Sequence, residues 1–166
     1  MLNIKELILE ELHKGTQWTQ RVFYDIDEVD WKKRSGSLKT NINWQMGHIL
    51  ASHYFHGIVC IGGSDEVIKA AFSPKMYSLY YGMNSNPFDL LQEKPEKEEL
   101  LANFELVERR CIELITTLDD SSFEEKTVLE NPMAKNKREA LLWTIRHRTW
   151  HNGQAALIKS HLKNEH

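Results

Sequence analysis

The stretch PEKEELLANFELVERRCIELITTL, residues 95–118, decides the fold class. Leu100, Phe104, Val107, Cys111, Leu114 and Leu118 recur at steps of three and four, the period of an amphipathic α-helix. Acids crowd its first turn, where the positive end of a helix dipole favours them. Asp119-Asp120-Ser121-Ser122 ends it.

The same signature repeats outward along the chain. Residues 136–162 form a second helical pattern, with Asn136 as cap and Glu139 three residues on. Upstream, a third starts at Thr40 or Asn41, both good N-caps, and stops at Gly62-Gly63. Trp44, His48, Phe55 and Val59 make its stripe, while Gly47 and Ala51 keep one side thin enough for a close neighbour. Residues 3–27 form the fourth. Asn3 and Glu6 read as a capping box, and Leu7, Ile8, Leu12, Trp18, Val22 and Phe23 as its apolar face.

The links are less regular. Residues 25–39 contain a turn at Ser35-Gly36-Ser37, and residues 65–72 read as a short helix. Residues 73–94, with Pro74, Tyr77, Tyr80, Tyr81, Gly82 and Pro87, read as a long aromatic loop. Such a loop is either a lid or a strap that crosses the fold. Residues 123–135 are a connection holding Asn131-Pro132. Four long helical patterns without a convincing strand predict an all-α four-helix bundle, one domain over residues 1–166. The long link between helical patterns two and three makes room for a crossover and an extra short helix.

Composition narrows the function. A net charge of −3 argues against nucleic-acid binding through a broad basic field. With 41% hydrophobic and 27% charged residues the chain is ordinary globular protein. Two cysteines cannot build a disulfide framework, which suggests a reducing compartment. No apolar run reaches the ~18 residues of a membrane helix, and the first residues lack a cleavage site, so a cytoplasmic location is expected.

Chemistry concentrates in the eight histidines. His147 and His151 are four apart and share one helix face. Two imidazoles at that spacing can ligate one divalent ion, with zinc–nitrogen distances of ~2.0–2.1 Å. His48, on the Trp44–Phe55 stripe, is the candidate third ligand, leaving open positions for water or substrate. Spacing alone leaves a pair of core or surface histidines as the alternative.

Gln154, one turn past His151, would hydrogen-bond a ligand histidine or simply pack. His56 is placed at a pocket mouth or as an ordinary half-buried histidine; His53 lies off the His48 face. His161 continues the His147 stripe near the frayed helix end; His13 and His166 carry no signal. Trp143, Trp150 and Leu157 read as a core stripe, or else a pocket wall or dimer seam. Cys60 and Cys111 read as buried, inert thiols. The basic clusters at residues 32–34, 109–110 and 135–138 read as solvated faces, or one of them as a seat for the carboxylates of an anionic thiol. No Gly-rich phosphate loop, Cys-x-x-Cys pair or Gly-x-Ser-x-Gly elbow occurs. Arg148, not Glu, follows His147, so the zinc-protease motif lacks its base.

Two motifs together resemble a known family. His147-Arg-Thr-Trp-His151-Asn-Gly-Gln154 is similar to the His-x-x-x-His-x-x-Gln signature in the last helix of the DinB/YfiT-like superfamily. Asn41-Ile-Asn-Trp44-Gln-Met-Gly-His48 resembles that family's second-helix motif, and Tyr81-Gly82 to Pro87 resembles a loop common in it. The resemblance implies a four-helix bundle of alternating direction with an extra short helix or crossover, often dimeric. It places metal ligands at His48, His147 and His151, with zinc or nickel as the metal.

Characterised relatives are transferases or isomerases that use bacillithiol, mycothiol or glutathione. The family name refers to DNA-damage induction, a stress response, and not to DNA binding. The expected function is therefore a metal-dependent transfer of a low-molecular-weight thiol to a small-molecule substrate, by a homodimer. Metal-dependent hydrolysis is one alternative, since a bound metal also lowers the pKa of water to ~7. A non-catalytic dimeric bundle that binds metal or a small ligand is the other.

Overall fold

A computed structural model describes residues 3–164 of the chain; residues 1, 2, 165 and 166, His166 among them, lie outside the described residues. Helix α1 (Ile4–Phe23) opens with the capping box, Asn3 Oδ1 accepting from Glu6 N at 2.9 Å and Glu6 Oε2 from Asn3 N at 3.0 Å. Asn41 caps α2 (Ile42–His53), which runs on through a π-helical turn (Tyr54–Val59) into α3 (Cys60–Gly62). Gly63, with φ of 91° and ψ of −168°, takes a positive-φ backbone conformation open to glycine, and the run ends there. Two short helices follow, α4 (Glu66–Ala71) and α5 (Pro74–Tyr81), then α6 (Lys97–Thr117) and α7 (Lys137–Asn164). Among the described residues there is no strand.

α1 and α2 each pack on both α6 and α7, so they occupy opposite corners of a four-helix ring. Cross-helix contacts give the directions. Leu12 O meets Arg148 Nη2, Thr19 meets Asn152, and Arg21 O meets Lys159 Nζ, so α1 and α7 are parallel. His48 meets His147 and Gln45 meets His151, so α2 opposes α7. His53 meets Glu108 and Gly57 O meets Cys111 Sγ, so α2 and α6 are parallel. The order is up, down, down, up. This departs from the strict alternation the family resemblance implied, because a crossover returns the chain between α2 and α6.

That crossover, read at residues 73–94 as a long aromatic loop, holds the helix α5 within it. Ser73 caps α5 by accepting from Met76 N, and Pro74 takes the first helical position, where its missing N–H costs nothing. Tyr77 and Tyr81, one turn apart, both point inward. Tyr77 O–H donates to Glu99 at 3.2 Å and Tyr81 O–H to Asn43 at 3.1 Å. The Tyr81 ring lies flat against the thin side of α2: a Cβ built on Gly47 would sit 2.3 Å from its Cδ1.

Buried apolar residues from all these helices form one cluster. No helix among the described residues is long and apolar enough to cross a membrane. Two expectations about faces are corrected. Trp150 and Leu157 are 62% and 53% exposed, not core, and Leu7 and Trp18 are half-exposed. The reason is that α7 buries a largely polar arc, Thr144, Arg148, His151 and Asn152, which turns Trp150 and Leu157 outward.

Arg148 is the largest charge in that arc and is 1% exposed. Its Nη1 donates to Glu108 Oε1 at 2.6 Å and its Nη2 to Leu12 O at 2.8 Å. Thr16 O–H donates to the other Glu108 oxygen. Gly15 lets the guanidinium lie against α1, since a Cβ there would stand 2.3 Å from Nη2. Cys60 and Cys111 are both buried free thiols, as the sequence suggests.

Two stability changes follow from this packing. Arg148→Met should cost about 3–5 kcal/mol in urea unfolding, because it strands the Glu108 charge in the core. A second change, Glu108→Leu, should recover much of that loss. Gly47→Ala should cost about 1–3 kcal/mol despite alanine's better helix propensity, because the Tyr81 ring must move.

Candidate metal centre

α2 and α7 run antiparallel side by side, and their facing turns bring three imidazoles together. His48 Nε2 lies 3.2 Å from His147 Nε2, and His151 Nε2 lies 3.2 Å from the same atom. All three ligating atoms fall within 4.8 Å of one another. Nitrogens sharing one ion at ~2.0–2.1 Å, with angles of about 90–110°, stand roughly 2.9–3.4 Å apart. The two 3.2 Å spacings to His147 Nε2 fit nitrogens that share a single divalent ion.

The outer nitrogens settle which atoms carry protons. His48 Nδ1 lies 2.6 Å from the Tyr81 carbonyl oxygen, which can only accept, so the proton is on Nδ1. His151 Nδ1 lies 2.7 Å from Gln45 Oε1. Gln45 Nε2 in turn donates to Thr40 Oγ1 at 3.0 Å and to Gln154 Oε1 at 3.1 Å, which orients the amide with its oxygen toward His151. His48 Nε2 and His151 Nε2 are thus lone pairs, both directed at His147 Nε2. One N–H on His147 can satisfy only one of them, whereas a cation satisfies all three. Trp44 stacks on the His48 ring, centroids 4.6 Å apart and planes at 8°, and its Nε1–H donates to Ser85 Oγ at 2.8 Å.

Two cavities meet at this cluster. The larger, about 640 Å³, is reached by His48 and His147 and walled mainly by aromatic and aliphatic side chains, including Phe55, Phe72, Tyr77 and Trp143. The smaller, about 450 Å³, is reached by His151 and bounded by Lys39, Thr40, Gln45 and Gln154. Met83 borders both.

The sequence model of the DinB superfamily matches residues 11–155, a span that contains all three histidines and Gln154. The chain belongs to the DinB superfamily. A comparison with curated proteins returns no match.

The remaining candidates of this DinB protein fall into place around the cluster. Gln154 Oε1 accepts from Gln45 Nε2 and so supports His151 through Gln45, and its side chain also lies close enough to the His151 ring to oppose the effect of burial there. Gln45 itself escapes sequence reasoning, because its partner His151 is more than a hundred residues away and glutamine carries no periodic signal. His56 lies in the wall of the larger cavity. His53 is excluded from the cluster, as its position on α2 suggests. It is 1% exposed, and its Nδ1 lies 2.8 Å from Glu108 Oε1, outside good hydrogen-bond alignment. His13 and His161 are exposed.

Burial sets the charge state of the cluster. It pushes His147 down to about 3, with His151, His48 and His56 adding to the effect. It likewise holds His151 at about 4 and His48 below the ordinary histidine value, the latter opposed by the Tyr81 carbonyl. All three rings are neutral near pH 7, the state a metal ligand needs.

These depressed values give the metal-free DinB protein a definite pH response. As pH falls below about 6.5, the unfolded chain takes up protons before the folded one, so stability is full above that pH and is lost toward about 4 and about 3. Glu108, held at about 2 against burial by His53 and Arg148, adds a further loss below about 4.5. The melting temperature of the chelated protein should be flat above pH 7 and fall steadily from pH 6 to pH 4. A rise over that range would contradict the assignment of neutral buried rings.

Proposed function

We propose that this chain is a divalent-metal enzyme, with His48, His147 and His151 holding zinc or nickel, that transfers a small thiol to an electrophilic substrate. The observation that carries the reading is the convergence of three ring nitrogens where two cavities meet. A divalent ion in that position supplies a Lewis acid, which lowers the pKa of a thiol.

The chain's own residues do the rest. The Tyr81 carbonyl and Gln45 hold His48 and His151 in the tautomers that present lone pairs. Trp44 fixes the plane of the His48 ring. The apolar walls of the larger cavity keep water from an electrophile bound there. Lys39, Thr40 and Gln154 offer polar contacts to a second, more hydrophilic reactant on the other side. In the transfer the sulfur–carbon bond forms as the bond to the leaving group breaks; the leaving group takes the electron pair and the thiol proton passes to solvent.

Hydrolysis at the same site is the weaker reading. Neither cavity is bordered by an aspartate or glutamate among the described residues, so no carboxylate stands ready as general base.

The first test is metal content by elemental mass spectrometry on natively purified protein. About one zinc or nickel per chain is expected, lost in His48→Ala, His147→Ala and His151→Ala while the helical circular dichroism persists. Incubation with 1-chloro-2,4-dinitrobenzene and each of glutathione, bacillithiol and cysteine should then show metal-dependent conjugation, reduced at least a hundredfold in His147→Ala. Wild type that takes up no metal after incubation with zinc or nickel would overturn the proposal.

A further inference from the structure

His56 is the fourth imidazole near the cluster, and it takes no part in the convergence of the other three. It lies eight residues beyond His48, which on a regular α-helix is about 80° away around the axis. The π turn Tyr54–Val59 widens the helix at this point and slows its rotation. His56 is thereby carried back toward the His48 side, into the wall of the cavity that His48 and His147 also border. Its ring stands 4.9 Å from that of Phe55 and 6.4 Å from that of Trp143, centroid to centroid.

A neighbour fixes its tautomer. Asn131 Oδ1 accepts from Met133 N at 2.9 Å, which identifies the atom 2.9 Å from His56 Nδ1 as the amide nitrogen Nδ2. An amide nitrogen only donates, so His56 Nδ1 accepts and the ring proton sits on Nε2. Burial holds the ring neutral near pH 7, with a value of about 4. Nε2–H has no protein acceptor among the described residues, and it is not one of the sealed, unpartnered atoms of the core.

The cavity around it shows what such a donor serves. The hydroxyls of Tyr77 and Tyr81 are already engaged with Glu99, Asn103 and Asn43. No aspartate or glutamate borders the space, and its one formal charge, Lys75, is exposed. A cation has no counter-charge here, and a wholly apolar molecule would leave the His56 N–H without a partner, at a cost in free energy.

We propose that His56 orients the substrate by donating its Nε2–H to an acceptor oxygen on an uncharged, mainly apolar molecule lodged in the cavity beside His48 and His147. This rests on reading that cavity as the substrate side of the proposed enzyme. It narrows the electrophile to a class: an aromatic or aliphatic body bearing a carbonyl, ether or similar oxygen near the imidazole cluster. His56 acts on the substrate's position and not on the thiol.

The test uses a matched pair of probes, acetophenone and ethylbenzene, which differ in one acceptor oxygen. Their affinities are measured by ligand-observed NMR titration of the full chain, as purified and again after chelation. In the chelated protein no ion can hold the ketone, so the change that His56→Phe makes in that arm reports the His56 donor. His56→Phe should weaken acetophenone about tenfold and leave ethylbenzene unchanged or tighter, as expected for one lost hydrogen bond. His56→Gln, which keeps a donor, should retain most of the ketone affinity. In wild type, two-bond proton–nitrogen correlation spectra should show the His56 proton on Nε2.

Equal losses for both probes, a proton on Nδ1, or no acetophenone binding in wild type would each overturn the proposal. Failure of metal loading would instead sink the enzymatic reading and leave the chelated result standing.

Discussion

An α-helix that buries imidazoles, a guanidinium and an amide on one face must find each of them a partner, and α7 is built under that constraint. Arg148 and Asn152 look toward α1, and His147 and His151 look toward α2. Glu108 from α6 closes the charge on Arg148. Thr16, Thr19 and a helix carbonyl of α1 take up further hydrogen bonds. Gly15 on α1 exists in this setting as a gap for the guanidinium. A buried ion pair adds little net stability, but breaking one is costly, so it sets which helix faces meet and in what register. That register is what brings the facing turns of α2 and α7 to the level at which three ring nitrogens converge.

Much of this was legible in the sequence. The buried stripe Leu100, Phe104, Val107 and Cys111 of α6, the caps at Asn3, Asn41 and Asn136, and the stop at Gly63 match their signals, because each is a local effect of side chains on the nearest backbone. His48, His147 and His151 were legible as a set because four-residue spacing and an apolar stripe state which way a side chain points. The thin side of α2 at Gly47 was also readable, although the ring that fills it was not.

What stayed hidden depends on distant residues. α5 is eight residues long and rich in tyrosine, so its helical period is too short to read and its composition resembles a loop. Trp150 and Leu157 look like core by hydropathy alone, yet the polar arc of α7 has prior use of the interior. Gln45 is adjacent to Trp44 within a quoted motif, but its role appears only when α2 and α7 are set side by side. The π turn leaves no mark at all in the hydrophobic pattern of residues 54–59.

That turn has a consequence for comparing this chain with its kin. A π turn accommodates roughly one residue more than the α turn it replaces. A relative with a single-residue deletion in this stretch would run the helix through without a bulge. An imidazole would then need to lie seven residues after the counterpart of His48, not eight, to face the same space. Alignments that score identity column by column would record that histidine as lost, while its place in three dimensions was kept. Descent in this part of the molecule is better traced by angle around the helix axis than by position in the string.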